Sequence, residues 1–475
     1  MPDTVVETTT GKIRGLTAGG VRVTARSGGA ASAELARITE WLEHDLGGRV
    51  VRIERQARWR PAWWVDLERD GELLPLYVRG DRIDSPSAFP LEHERVFHQM
   101  LAERGIRVAR VHGYRDANPK AYVTDRVPGR DNFEGESDEA RRSAMNDYID
   151  ILLEMHKLDV EPFAKAGIVR AATPRQSHLI GLRHFAQRAY LSQKKRPDPF
   201  LEFALTWLAR REPGNPGREA IIVWDAGQFH QRSGRITALL DLEFGHIGDP
   251  LADLAGLWVR NPFIPLGDVA ALMRRYQDRG GVRVDIAAVR WHYILWSLSN
   301  QLEFHAALAD PAPGSDYMLN LHWCIETNLM ALEAIAAGAG VQLGEVEELA
   351  PAVSAYGPAY RHLEGSLAGL PVGDAVSRYE LRKSVRLARH VERISEIGDQ
   401  VVAADLADIA KLTGWRPDGW AEGEADLERF VLGNDGTHDE ELVRIFHRRL
   451  HRARMLNGPA GSWITRHREV PQPRL

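Results

Sequence analysis

The chain has 475 residues, 44% of them hydrophobic and 27% charged, so it is long enough for two to four domains and too well mixed for a disordered protein. A net charge of -5, with Lys+Arg at 61 against Asp+Glu at 66, gives no overall basic field for nucleic acid or a membrane surface. The single cysteine, Cys324, excludes a disulfide within the chain and argues against a cysteine-built metal site; with no apolar stretch of signal or membrane-spanning type, a reducing cytoplasm is the expected location.

In chain order, residues 1–30 are Thr/Gly-rich and read as a loose lead-in. "SAELARITEWLEHDL" repeats apolar residues at helical spacing and stops at Gly47-Gly48. "RVVRIERQ" and "AWWVDLERDGELLPLYVRG" follow, and Asp70-Gly71 supplies the turn of a hairpin. "PLEHERVFHQMLAERG" reads as a helix ended by Gly105, and "VARVHGY" and "AYVTDRV" as two more strands. Residues 31–127 therefore form a small antiparallel α+β lobe. "VPGRDNFEGES" reads as a linker, and helices dominate residues 128–338. Residues 339–475 read as a further helical domain, opened by the composition change at "AAGAG".

The helical region is interrupted at "IIVWDAGQFHQRSGRITALLDLEFGHIGDPLADLA". Two apolar strands, Ala220–Trp224 and Ile236–Leu240, each run into an aspartate, Asp225 and Asp241. Taken singly, an aspartate at a strand end is more often a cap than a catalyst. Asp249 fits a helix N-cap before Pro250, and Asp253 suits the first helical turn. Two carboxylates at one edge, however, suit phosphoryl transfer, in which one orients a hydroxyl and the other holds Mg²⁺.

The joint pattern "LLDLEFGHIGDPLADLA" resembles the signature of the aminoglycoside phosphotransferase and choline kinase-like family, and most closely the branch associated with acyl-CoA dehydrogenases. "LYVRG", "EHERVFHQML", "AYVTDRVPGR" and "LLEMHKLD" stand in the family's order, so the resemblance spans roughly residues 30–335. It implies an α+β, two-lobed, protein-kinase-like fold, with a helical domain appended. It further implies an ATP- and Mg²⁺-dependent transfer of the γ-phosphate to a hydroxyl of a small molecule, a catabolic compound rather than an antibiotic. On that resemblance, Asp225 is the catalytic acid that orients the hydroxyl. Arg79 binds the nucleotide phosphates and pairs with Glu94, while Val123, Thr124 and Asp125, with Arg126, hold the adenine edge by their backbone. Asp241 is the main metal ligand. A homodimer through the C-terminal helical domain is the expected assembly, with neither nucleic acid nor membrane as partner.

Three departures from the family pattern stand out. Val223-Trp224 replace the His-Gly that precedes the catalytic aspartate, and "ERQARWRPAWW" has no glycine-rich phosphate loop. The asparagine expected five residues after Asp225 is absent: His230 stands there by straight count, and Gln228 if the loop is two residues shorter. Gln228 is the better metal ligand, because imidazole suits Mg²⁺ poorly. The competing expectation is a pseudokinase or nucleotide-binding scaffold without turnover; a kinase using GTP is a third.

Overall fold

The computed structural model describes residues 22–23, 29–82, 88–458 and 473. Apart from Arg22–Val23 and Gly29-Ala30, the expected lead-in lies outside the described residues. Arg22–Val23 (β1) pairs in parallel with Arg49–Arg55 (β2). Helix α1, Gly29–Leu46, ends at Gly47 and Gly48, both at positive φ, where glycine alone is unstrained. Ala62–Arg69 (β3) and Glu72–Gly80 (β4) form the expected hairpin, with Asp70 and Gly71 both at positive φ in its turn.

Helix α2, Leu91–Glu103, follows, then Val111–Arg115 (β5) and Ala121–Asp125 (β6). The sheet order is β1-β2-β3-β4-β6-β5, antiparallel throughout except for β1 on β2. Its buried face, including Trp63, Val65, Leu67, Val78 and Val123, packs with Ile38, Trp41 and Leu42 of α1 as a core of its own. This lobe matches the small α+β unit expected from the sequence.

The remainder is mainly helical. Asp138–His156 (α3) and Glu161–Lys165 (α4) lead to residues 180–191 (α5), of which Arg183–Leu191 are wound as a π-helix. Pro199–Arg210 (α6) precedes four short strands: Ala220–Ile222 (β7), Phe229–Arg232 (β8), Arg235–Leu239 (β9) and His246–Gly248 (β10). The first expected strand is two residues shorter than expected, the second is shifted by one residue at the same length, and they do not pair with each other. β7 pairs with β10, and β9 pairs with β8, which the sequence reading missed.

Leu251–Arg260 (α7), Val269–Asp278 (α8), Ile286–Ala309 (α9) and Tyr317–Ala339 (α10) complete this lobe. Gly357–Ala368 (α11), Ala375–Thr413 (α12), Trp420–Gly433 (α13) and Asp439–Asn457 (α14) follow. Leu427, Val431, Leu442, Val443 and Phe446 of α13 and α14 are buried in the same apolar cluster as α6, α9 and α10. No helix among the described residues is long and apolar enough to cross a membrane.

Candidate active site

The catalytic-loop candidate begins where β7 ends. Trp224 lies at φ +63, a left-handed conformation that is strained for a side chain of this size. The position is the one at which the family pattern has glycine, and Trp224 holds it through packing. Its ring stacks on Phe185 at 4.8 Å and meets Phe244 edge-on at 5.7 Å. Asp253 anchors the same turn, accepting from the Trp224 N–H at 2.7 Å and the Val223 N–H at 3.3 Å. His156 reaches Asp253 at 2.9 Å and Tyr276 at 2.8 Å. Asp253 is therefore more than a first-turn charge: it ties the helix to the loop. Asp249 accepts from the Leu251 N–H at 3.0 Å, as a cap does, and pairs with Arg218 at 3.0 Å. The helix proper starts one residue after Pro250.

Asp225 is 4% exposed. Arg260, at the end of α7, grips both its oxygens: Nε donates to Oδ1 at 2.7 Å and the terminal Nη2 to Oδ2. Gln228 Nε2 donates to Asp225 Oδ2 at 2.6 Å. Burial pushes the Asp225 carboxyl up to about 6, against the pull of Arg260. The Gly227 N–H donates to the Tyr148 hydroxyl at 2.7 Å, which fixes the turn. His230, the other candidate for the missing asparagine, faces elsewhere, its ring Nδ1 3.0 Å from the Val127 carbonyl.

Asp241, also at positive φ, pairs with Arg79 of β4. Burial opposes its charge, but Arg79, then Arg60 and Arg58, outweigh that and hold the carboxyl below the usual carboxylate range. Arg79 Nε lies 2.7 Å from Glu94 Oε1 on α2, so the expected strand–helix ion pair is formed. Glu94 also takes Arg60 at 2.9 Å and the Tyr122 hydroxyl at 2.9 Å. Glu243 is held by Arg60 at 2.8 Å and Arg82 at 2.8 Å, and Arg82 continues to Glu303. Where a glycine-rich loop would stand, the β2–β3 connection instead drives Arg60 inward to bridge Glu94, Glu243 and the Gly80 carbonyl.

Val123 and Thr124 lie in β6, paired with Val78 and Tyr77 of β4. The Asp125 and Arg126 N–H groups donate to the Arg110 and Pro75 carbonyls, both at 3.0 Å. The structure thus brings Asp225 and Gln228 together, and Arg79, Glu94 and Asp241 together. Asp241 is close enough for its charge to raise the Asp225 carboxyl further. Among the described residues, no three His, Cys, Asp or Glu side chains form a metal-sized group.

The sequence reading missed Arg60, Arg82, Tyr148, Glu303 and Arg260. For Arg260 a signal existed: Asp253, Gly256 and Arg260 fall at i, i+3 and i+7, one face of a helix. For Arg60, in an irregular loop, nothing periodic was available.

No curated protein matches the sequence. Among solved structures, a thermostable mutant of aminoglycoside phosphotransferase APH(4)-Ia in ternary complex with ADP and hygromycin B is 16% identical, with a TM-score of 0.47; the match covers 64% of this chain and 99% of that one. Choline kinase LicA from Streptococcus pneumoniae is 13% identical at a TM-score of 0.46, over 64% and 98% of the two chains. Macrolide 2'-phosphotransferase MphH from Brachybacterium faecium is 19% identical at 0.42, over 59% and 94%. The model of the phosphotransferase enzyme family matches residues 54–292, half of the chain. The chain belongs to the phosphotransferase enzyme family.

Proposed function

We propose that the protein transfers the γ-phosphate of ATP, with Mg²⁺, to a hydroxyl group of a small molecule. The observation that carries this reading is Asp225: a buried carboxylate beside an ion-paired Asp241, in a chain of this family. Asp225 orients the acceptor hydroxyl and takes its proton as the new O–P bond forms and the bond to the β-phosphate oxygen breaks, releasing ADP. Arg79, positioned by Glu94, meets the nucleotide phosphates. The backbone of Val123, Thr124 and Asp125 lies along the adenine side. Because β6 is paired on both sides, with β4 and β5, and the Asp125 and Arg126 N–H groups already serve Arg110 and Pro75, that contact requires one of these bonds to give way.

The donor set suits a hard cation that takes few protein ligands and completes its shell with water and phosphate. Asp241 supplies a carboxylate that stays ionised, and Gln228, within reach of Asp225, supplies an amide oxygen. Held there with the nucleotide, Mg²⁺ would neutralise charge on the phosphoryl group. Arg79 must release Asp241 for this, and it retains Glu94 as its partner when it does. For domain organisation we adopt residues 31–127 and 128–338 as the two lobes and 339–475 as the C-terminal helical unit.

A second reading, a nucleotide-binding scaffold without turnover, draws on one specific observation: both working aspartates are occupied by guanidiniums, Arg260 on Asp225 and Arg79 on Asp241. Two measurements separate the readings. A screen of hydroxylated metabolites for ATP consumption should find turnover that Asp225→Asn abolishes while ATP still raises the melting temperature. Turnover retained in Asp225→Asn overturns the assignment of the base. Stabilisation by ATP that is indifferent to Mg²⁺ or EDTA, with no acceptor found, favours the scaffold.

A further inference from the structure

A cleft of about 420 Å³ opens beside α5, walled by Val169 and Arg170 on one side and by Arg183, His184, Gln187 and Arg188 on the other. The π-helical winding explains the second wall. Its hydrogen bonds run from i to i+5, so Arg183 and Arg188 come one turn apart on a single face, with His184 and Gln187 beside them. Phe185 points the other way and stacks on Trp224. A short run of sequence thus faces the catalytic loop on one side and a basic cleft on the other.

Two features of the cleft call for an anion. The guanidiniums of Arg183 and Arg188 have no carboxylate partner among the described residues. Arg170, in contrast, is fixed by Glu219 at 2.5 Å and Glu161 at 2.7 Å, so it is a rigid wall whose charge is already balanced. His184, 7% exposed, lines the cleft and its Nδ1 has no hydrogen-bond partner. Nδ1 is itself sealed from solvent, so the ring can meet a ligand in the cleft only through its other nitrogen, Nε2, which is not sealed. The ring rests on Phe89 at 4.6 Å, and burial, then Arg188, press its pKa down to about 4. It therefore stands neutral at physiological pH, with one N–H to donate.

We propose that this cleft binds a phosphate group, free or carried as a phosphomonoester, gripped by Arg183 and Arg188 with the His184 ring donating from below. Phosphate suits the site better than carboxylate. It is a dianion near neutral pH, matching two cations that have no carboxylate partner among the described residues, and it offers enough oxygens for two guanidinium forks and a ring N–H together. This site is separate from the Asp225–Asp241 pair and does not depend on the proposed transfer reaction.

The test is calorimetric titration of the full-length protein with inorganic phosphate, with glycerol 3-phosphate as the ester and with acetate. Saturable binding of either phosphate is expected, with acetate much weaker. Binding of the ester alone identifies a phosphorylated metabolite as the ligand; binding of both identifies the phosphate group itself. Arg183→Gln/Arg188→Gln should weaken binding by roughly tenfold or more. Both side chains are at least partly exposed, so this variant should melt where the unchanged protein does. Histidine ¹⁵N spectra should show the His184 ring shifting on addition of phosphate. No saturable binding at millimolar phosphate, binding that survives the double substitution, or equal affinity for acetate would each overturn the proposal.

Discussion

At the scale of single residues, Asp225 is set by two opposed influences. Burial favours its neutral form, and the Arg260 fork favours the anion. The outcome, a carboxyl at about 6, gives two expectations with a definite sign. Turnover through Asp225 should fall as pH drops through about 6, because the protonated acid can no longer accept the hydroxyl proton. A profile flat to well below that value would contradict the role. For stability the raised pKa acts the other way. The native state holds the proton more tightly than the unfolded chain, so Asp225 favours folding at low pH, and that contribution is lost as pH rises from about 4 towards 6. Arg260→Gln removes the only cation that grips Asp225 among the described residues. Breaking a buried pair costs about 3–5 kcal/mol when the charge must remain. The loss in urea denaturation should therefore be large at pH 8 and clearly smaller at pH 5, where Asp225 can take up a proton. Equal losses at both would show that the pair is not what matters.

Trp224 offers a second residue-scale test. Its left-handed backbone costs on the order of 1–2 kcal/mol in a residue with a Cβ, a cost that stacking on Phe185 and edge-on contact with Phe244 offset. Trp224→Ala should lose about 3–5 kcal/mol of packing while keeping the strain. Trp224→Gly loses the same ring but relieves the backbone. The glycine variant should therefore be the more stable of the two, by about 1 kcal/mol, the reverse of the usual order of alanine and glycine. Denaturant midpoints decide it; alanine at or above glycine removes the strain argument.

Between elements, helix α7 is the part that builds the loop. Asp253 holds the N–H groups of Val223 and Trp224, Arg260 holds Asp225, and Gly256 lies between them on the same face. A Cβ on Gly256 would stand 2.6 Å from the Trp224 carbonyl oxygen and 2.8 Å from the Ala226 nitrogen, so the helix can approach the loop backbone only because this residue is glycine. Gly256→Ala should push the helix off the loop, with a loss of about 1–3 kcal/mol and a larger loss of turnover than of nucleotide binding. A variant with unchanged melting temperature and activity would show that the contact can relax.

The same helix shows what the sequence discloses. The Asp249–Asp253 run was legible as a helix start, and its likeness to a family pattern carried the two-lobed fold. Arg79 and Glu94 were legible too, since a basic strand residue and an acidic helix residue keep the family's order and do meet. The loop 56–61 was not, because an arginine in an irregular connection gives no hint that it turns inward. Strand β8 was also missed. "FHQR" has no clean alternation, and it is a strand only because the Ser233-Gly234 turn folds it onto β9. Arg82 and Glu303, 221 positions apart, meet only in the folded chain.

At the scale of the whole molecule, the C-terminal helices close the core of the helical lobe. α13 packs on α6 and α14 on α10, with Phe446 between Phe200 and Phe203 at 5.5 and 5.3 Å. Ion pairs fasten the seam: Arg210 to Asp439 at 2.5 Å, Lys194 to Glu428 at 2.7 Å and Arg454 to Glu326 at 2.9 Å. At the rim such pairs add little, but Glu326 is 2% exposed, and removing Arg454 would take away a cation that holds its buried charge. Truncation after Ala339 would uncover the apolar α6 and α10 surfaces that α13 and α14 cover. The truncated protein should aggregate or melt well below the full chain. The full chain should unfold α6, α10, α13 and α14 together, with amides in Leu442–Leu450 and Leu329–Ile335 exchanging hydrogen at one shared rate under native conditions. If α14 exchanged far faster than α10, or if the truncated chain stayed soluble with unchanged melting, the C-terminal helices would be an attachment to the lobe and not part of its core.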